Sequence, residues 1–325
     1  TDPIEANPAD QLASLQDLVK DLDAGAVEAL FILGGNPVFN APVELGLRDR
    51  LKKAKLRVRL GLYADETSEV CHWQVPETHF LETWGDARAF DGTVTIQQPL
   101  IQPLYGGRSA LQILQAFLEQ PEKTPYDIVK GYWGGQQSAR QGADFEAWWR
   151  RAVHDGVVPD SALPVKTPTV RGNALSARAG AKHLGGKLEV IFRPDPTIFD
   201  GRFANNGWLQ ELPKPITKLT WDNAAILSPA TAHRFGVQNG DMLKLTYEGR
   251  SLNAPVFIQP GHVNGATTLH LGYGRTAAGR AGNGMGFNPY GLRTAKALWQ
   301  DVGMDAEKTS GKYEFASTQD FHTLE

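Results

Sequence analysis

The residue types best suited to hold a ligand are concentrated in one glycine-rich stretch, residues 272–293, with the sequence GYGRTAAGRAGNGMGFNPYGLR. Its seven glycines let the backbone adopt positive φ and let another group approach closely. Because each glycine also costs folding entropy, such a loop usually fits a ligand or a neighbouring chain. Arg275, Arg280 and Arg293 add positive charge. They predict either the binding of an anion such as a phosphate or pairing with carboxylates of a neighbouring chain.

The start of this stretch, Gly272 to Ala277, also matches the G-x-G-x-x-A fingerprint of dinucleotide-binding folds. In those folds the fingerprint opens a helix, because the pyrophosphate binds at the helix N-terminus. Here further glycines and Pro289 follow, and the apolar residues have no helical period. The sequence therefore argues against a nicotinamide dinucleotide site.

A second group of reactive side chains comprises Cys71, His72 and His79, with Glu77 or Glu82 close by in sequence. These are zinc-ligand types, but their spacing is not that of a closed structural zinc site. Cys71 as a nucleophile would need a base, which one of the histidines could supply. Packing within a loop is the favoured interpretation, and no metal site is predicted. As the only cysteine, Cys71 allows neither an intrachain disulfide nor a cysteine-ligated iron–sulfur cluster within this chain.

The elements that must position these residues begin with a parallel α/β pattern. An apolar run at 27–33 predicts a strand, the Gly34-Gly35-Asn36-Pro37 turn ends it, and a basic helix over 43–54 and a strand over 56–62 follow. This order of elements is typical of a parallel sheet, in which the loops after the strands carry the binding site. We therefore expect the turn at 34–37 and the loop at 63–69 to lie at one edge of the sheet.

The remaining elements divide the chain in two. A third strand is predicted around 94–100, followed by two amphipathic helices, whereas the pattern after Lys187 alternates with period two and predicts a small β-barrel or sandwich with one inserted helix. Within it, Leu243, Leu245 and Tyr247 share one face of a strand. The predicted divisions are an α/β domain at 1–157, a linker or exposed excursion at 158–186, a barrel domain at 187–310, and a tail at 311–325.

Composition limits the classes of function. The chain has 325 residues, 41% of them apolar, and a formal net charge of −3, so two sizeable cores are possible and neither nucleic acid nor an anionic membrane is an expected partner. No run approaches the roughly 18 consecutive apolar residues of a membrane span. Because the chain begins with Thr1, we expect a fragment of a longer polypeptide.

Several passages resemble one enzyme family. Residues 232–243, AHRFGVQNGDML, are similar to the A-x-x-x-G-[VI]-x-x-G-D-x-[VL] passage in the C-terminal double-psi β-barrel of molybdopterin oxidoreductases, the dimethyl-sulfoxide-reductase family. Residues 34–37 resemble its G-x-N-P loop, and residues 67–76, 82–85 and 92–95 resemble passages that follow in the same order. The resemblance covers nearly the whole chain. It implies a Rossmann-like parallel α/β domain followed by a double-psi β-barrel domain.

A narrower resemblance concerns residues 206–223, 286–293 and 318–322. They are similar to a branch of the family, the fused molybdopterin-oxidoreductase-like/iron–sulfur subunit of alternative complex III, a quinol-oxidising bacterial complex. This resemblance implies as partners the iron–sulfur region of the same polypeptide and other subunits of a membrane-bound respiratory complex. It also implies a location on the periplasmic side of the membrane, and iron–sulfur clusters in a region beyond residue 325.

In active members of the family these loops bind molybdopterin guanine dinucleotide. The positions implied for that cofactor here are Gly34, Gly35, Asn36, Asp65, Thr67, Gly272, Gly274, Arg275 and Gly284. Two departures from the family's sequence pattern argue against binding of this cofactor. The acidic residue that holds the guanine corresponds to Gly61, with Asp65 four residues further on, and the family's Ala-Asp pair is replaced by Cys71-His72.

These departures favour the hypothesis of a structural scaffold without its own cofactor and without catalytic residues. Two alternatives stay open at this point. One is a fragment of an active molybdenum-pterin oxidoreductase whose loops cradle the cofactor, and the other is a free-standing small-molecule-binding protein.

Overall fold

The first half of the chain folds around a three-stranded parallel sheet. The computed structural model of the chain describes residues 1, 2, 5, 7–138, 144–170, 172 and 185–318. The elements of the sheet region are α1 (Gln11–Asp23), β1 (Ala29–Leu33), α2 (Pro37–Asn40), α3 (Leu47–Arg50), β2 (Leu56–Gly61) and β3 (Trp73–Pro76). Strands β1 and β2 pair in parallel from Ala29 opposite Leu56 to Leu33 opposite Leu60, and β3 pairs in parallel with the other side of β2. The predicted parallel α/β unit is confirmed.

Short helical segments cover one face of this sheet. Helix α1 begins after Asp10, whose carboxylate accepts hydrogen bonds from the amides of Leu12 and Ala13. The basic segment at 43–54 was predicted as one helix, but Gly46 adopts the left-handed conformation with φ 51° and separates a 3₁₀ turn from α3. The apolar cluster beneath these segments includes the fully buried Leu22 and Leu51.

The strand predicted around 94–100 is present, but it does not belong to the parallel sheet. The third parallel strand is β3, whereas β5 (Val94–Gln97) pairs antiparallel with β4 (Gly85–Arg88) in a separate two-stranded sheet. Alternation identified residues 94–97 as a strand but carries no information about its partner, since strand pairing is set by non-local contacts. Three helices follow and pack near this hairpin, namely α4 (Ala110–Phe117), α5 (Pro125–Ser138) and α6 (Phe145–Asp155).

The second half forms a closed barrel of six strands in the order β10-β6-β11-β8-β9-β7. Its elements are β6 (Leu188–Arg193), α7 (Gly207–Glu211), β7 (Ala225–Leu227), α8 (Pro229–Phe235), β8 (Asp241–Tyr247), β9 (Arg250–Ile258), β10 (Ala266–His270), α9 (Gly279–Gly282) and β11 (Gln300–Lys312). Of the two architectures that the period-two pattern allowed, the barrel is therefore correct. The double-psi connectivity stays a prediction.

The barrel interior follows the predicted alternation. Leu243, Leu245 and Tyr247 of β8 are all buried in the largest apolar cluster of the described chain. Phe39 of α2 belongs to the same cluster, and its ring meets that of Tyr290 edge-on with the centroids 5.0 Å apart. The first half of the chain therefore contributes a side chain to the core of the second half.

The segments at the predicted boundaries are only partly described. Residues 158–170 of the predicted linker form neither helix nor strand, and residues 171 and 173–184 lie outside the described residues. Residues 319–325, with most of the TQDFH passage, also lie outside them. None of the helices in the described ranges is long and apolar enough to cross a membrane.

Candidate functional site

The loops that follow β1 and β2 meet the glycine-rich stretch 272–293 across the contact between the two halves. A cavity of about 250 Å³ lies at this meeting point. Its lining includes Gly34, Gly35, Asn36, Arg59, Asp65 and Arg275. The carboxyl ends of the parallel strands thus face the barrel, as the sequence predicts for the binding edge of such a sheet.

A buried ion pair between Glu66 and Arg275 joins the two halves at this cavity. The Arg275 guanidinium donates to both carboxylate oxygens, with Nε 2.9 Å from Oε1 and Nη2 2.7 Å from Oε2. The backbone amides of Thr276 and Ala277 add bonds of 2.8 and 3.0 Å, and the Asn36 side chain adds one of 2.7 Å. Only 7% of the Arg275 side chain and 4% of that of Glu66 are exposed. The carboxylate is therefore surrounded by donors from both halves of the chain.

Arg275 is itself fixed on every side. Its Nη1 donates to the carbonyl of Gly201 at 2.6 Å, and its guanidinium lies over the Phe39 ring, 4.7 Å from the centroid. The sequence left open an anion or the carboxylates of a neighbouring chain as partners for the arginines of this loop. For Arg275 the partner is a carboxylate of the same chain, 209 residues earlier in sequence.

A second buried ion pair, Arg59 with Asp65, links the loop after β1 to the loop after β2. Arg59 Nη1 donates to the carbonyl of Gly34 at 2.8 Å, and Nη2 donates to the carbonyl of Gly35 and to Asp65 Oδ2, the latter at 2.9 Å. The other oxygen of Asp65 accepts from the amides of Thr67 and Ser68. Asp65, the position considered as a substitute for the family's acidic residue, is thus fully engaged inside the chain.

Arg59 also explains the glycine at position 61. A Cβ on Gly61 would lie 2.7 Å from Nη2 of Arg59, so the guanidinium occupies the space that a side chain at this position would need. An acidic residue cannot be accommodated there unless Arg59 moves.

The structure separates the predicted cofactor positions into two groups. Asn36 lies at the cavity edge and accepts a hydrogen bond from the buried Thr67, with Thr67 Oγ1 2.7 Å from Asn36 Oδ1. Gly34, Gly35, Asp65 and Arg275 join Asn36 there. The remaining positions lie elsewhere and serve loop packing, namely Gly272 against the Gly201 backbone, Gly274 against the Asn288 backbone, and Gly284, whose amide donates to the Arg275 carbonyl.

Sequence reasoning missed the two residues that organise this site, Arg59 and Glu66. Two signals could have pointed to them. An arginine near the end of a strand in a parallel sheet needs a buried partner, and the Asp65-Glu66 pair directly follows that strand.

The Cys71 region has local packing roles. The Nδ1 atom of His72 accepts from the Arg57 amide at 3.1 Å, and the Glu82 carboxylate accepts from the amides of His79 and Leu104. Burial raises the pKa of the Cys71 thiol, which favours the protonated, unreactive form. Across the described ranges, no three histidine, cysteine or acidic side chains converge on a point that could hold a metal ion.

The contact between the two halves at Glu66 and Arg275, called the joint below, should be sensitive to acid. Burial alone would raise the pKa of Glu66, but the bonds from Arg275 and the Ala277 amide outweigh it and lower the pKa from 4.5 to about 2. A lowered folded-state pKa contributes stability that is complete above about pH 4.5 and is lost as the pH falls towards 2. We expect the difference in urea midpoint between the native chain and Glu66→Gln to be constant above pH 5 and to shrink between pH 4.5 and 2. A difference that stays constant throughout would contradict this assignment.

Comparisons with known proteins place this geometry in context. No protein-family model matches the chain. Over 309 residues it is 24% identical to the menaquinone reductase, molybdopterin-binding-like subunit of Nitratidesulfovibrio vulgaris strain Hildenborough, an alignment that covers 88% of this chain and 42% of that protein. Its fold is similar to that of acetylene hydratase from Pelobacter acetylenicus, with a TM-score of 0.59 and 15% identity over 91% of this chain and 46% of that one. The chain therefore spans less than half the length of each. The sequence similarity is thus to a molybdopterin-binding-like subunit, and the structural similarity establishes the likeness in fold.

Proposed function

We propose that this chain is a structural region of a subunit in a quinol-oxidising electron-transfer complex of the alternative complex III type, with no pterin cofactor and no catalytic residue of its own. The observation that carries the proposal is the internal pairing of the loops at the carboxyl edge of the sheet. The charged groups that a bound nucleotide would need are already paired with each other, in the ion pairs Glu66–Arg275 and Arg59–Asp65.

The fit to a pterin guanine dinucleotide is poor on three counts. The cavity of about 250 Å³ is smaller than the roughly 300–1,000 Å³ of typical small-molecule sites. The Arg59 guanidinium lies over Gly61, where the family's guanine-binding acid would stand. The Glu66 carboxylate and the Arg275 guanidinium neutralise each other, so this pair offers no net positive charge to a phosphate. Binding would therefore require both buried pairs to open.

The exposed apolar surface of the first half supports a role in assembly. Parallel sheets are normally covered on both faces, yet Phe31 and Leu33 of β1 are 37% and 39% exposed. Helix α4, whose Phe117 ring contacts that of Phe31, has no buried residue. The proposal takes this surface to be the contact with another polypeptide, because a parallel sheet left open on one face is normally covered. In the proposal, that polypeptide is the remainder of the subunit with its iron–sulfur region, or a neighbouring subunit, on the periplasmic side of the membrane.

Cofactor analysis of the assembled complex tests the proposal. We expect the complex purified with the full-length polypeptide to contain far less than one molybdenum and one oxidised-pterin fluorophore per subunit. Iron measured in the same sample serves as the control, because retained iron–sulfur clusters would indicate that redox cofactors survive purification. Stoichiometric molybdenum and pterin would instead establish the alternative, an active oxidoreductase fragment whose loops hold the cofactor.

A further inference from the structure

A second cavity lies away from the site above, on the outer wall of the barrel. It has a volume of about 490 Å³, within the range of small-molecule sites. Its floor is formed by neighbouring positions of three strands, since Thr268 of β10 lies opposite Ile191 of β6 and Ile226 of β7. The loops at 213–217 and 259–263 form its sides.

The lining combines apolar walls with positive charge. Ile191, Ile216 and Val263 contribute apolar surface together with Pro194, Pro196 and Pro215. Arg193 and Lys214 are the cationic residues, and no aspartate or glutamate lines the cavity. A cavity of this character favours a ligand with an apolar body and an anionic group.

Two polar side chains in the cavity have no partner within the described chain. Arg193 is exposed, and none of its guanidinium nitrogens donates to a protein acceptor, although such groups bind carboxylates readily. His270 lies next to it across the strand pair, and its ring nitrogens likewise have no hydrogen-bond partner. The other histidine, His262, is occupied, because its Nε2 lies 2.9 Å from Thr268 Oγ1. Arg193 and His270 are thus available to a ligand.

The ammonium group of Lys214 belongs to a buried polar cluster beneath the cavity. Lys214, 2% exposed, donates to the Tyr273 hydroxyl at 2.8 Å and lies 3.6 Å from Asp195 Oδ2. That carboxylate oxygen is buried and has no hydrogen-bond partner. Since Lys214 is balanced by Asp195, the net positive charge offered to a ligand is that of Arg193.

We infer that this cavity is a binding site for a small organic carboxylate with an apolar body, with Arg193 and His270 binding the carboxylate group. The apolar body packs against Ile191, Ile216 and Val263. The inference concerns a different face of the molecule from the Glu66 site and does not depend on the scaffold role.

Titration of the chain with 2-naphthoate, followed by calorimetry, tests the inference. We expect saturable binding that weakens about 10- to 100-fold in Arg193→Ala, because hydrogen bonds to charged groups are of that size. Ile216→Asp, at a residue that is 64% exposed, should weaken binding at least as much by placing a carboxylate at the apolar wall. Arg250→Ala, an arginine in β9 outside this cavity, is the matched control and should leave the affinity unchanged.

Three results would overturn the inference. The first is no saturable binding below about 1 mM. The second is binding that is equal in the native chain, Arg193→Ala and Ile216→Asp, which would place the ligand elsewhere. The third is equal affinity for 2-naphthalenemethanol, which has the same apolar body without the charge. A shift of the His270 ring-nitrogen resonances on addition of 2-naphthoate, with those resonances assigned by their absence from His270→Ala, would add direct support.

Discussion

Replacing Glu66 by alanine should lower the free energy of unfolding by about 3–5 kcal/mol, because the substitution leaves the Arg275 guanidinium buried without a counter-charge. Arg275 is held between the Gly201 carbonyl and the Phe39 ring, so it cannot easily swing out to water. The amides of Thr276 and Ala277 lose their acceptor at the same time. Urea unfolding at pH 7, followed by tryptophan fluorescence and circular dichroism, measures the change.

Glu69→Ala provides the matched control three residues away. Glu69 pairs with Arg48 at 3.1 Å, but both side chains are almost half exposed, so its loss should cost at most about 1 kcal/mol. Equal losses in the two variants would mean that the buried pair contributes no more than a surface pair, and the joint between the two halves would have to be sought elsewhere.

Replacing Gly274 by alanine should lower the free energy of unfolding by about 2–5 kcal/mol, the sum of left-handed strain and steric overlap. Gly274 has φ 71°, and a Cβ there would lie 2.4 Å from the Asn288 backbone nitrogen, which cannot give way as a flexible side chain would. Thermal and urea unfolding of the purified variant measure the loss.

Gly284→Ala separates the two contributions to that loss. Gly284 has nearly the same φ, 72°, but a Cβ there would meet no heavy atom within 4 Å. The variant should therefore show the strain alone, about 1–2 kcal/mol. If both variants lost the same stability, the close approach of the 274 and 288 backbones would have no energetic role. The glycines of the 272–293 stretch are thus not equivalent, although they look alike in sequence.

The local part of the fold could be predicted from the sequence. The apolar run and glycine turn at 27–37 indicated a parallel α/β unit, and the alternation in β8 identified Leu243, Leu245 and Tyr247 as core residues. Both signals depend only on the periodicity of neighbouring side chains. The third parallel strand, residues 73–76, was not assigned because it has only four residues, as does the strand at 94–97, and so short a pattern does not show which strand it pairs with.

The location of the candidate site could be predicted from the sequence, but the ion pairs that its residues form could not. The rule that loops after parallel strands meet at one edge correctly brought together residues 34–36, Asp65 and Thr67. It could not reveal that Arg275 would bind Glu66, because these residues are 209 positions apart and no local pattern links them. The role of Arg59 was hidden for a similar reason, since three of its four acceptors, Gly34, Gly35 and Asp65, come into place only after the two loops have folded over it.

The pairing of Glu66 with Arg275 has a consequence for the order of events during biosynthesis. Every group in this joint is encoded in the chain itself, so the two halves can dock as soon as both have been synthesised. A joint that needed a small molecule would make docking wait for that molecule to be made and delivered, and it would open whenever the molecule left. The contact between Glu66 and Arg275 can therefore form without waiting for any such molecule.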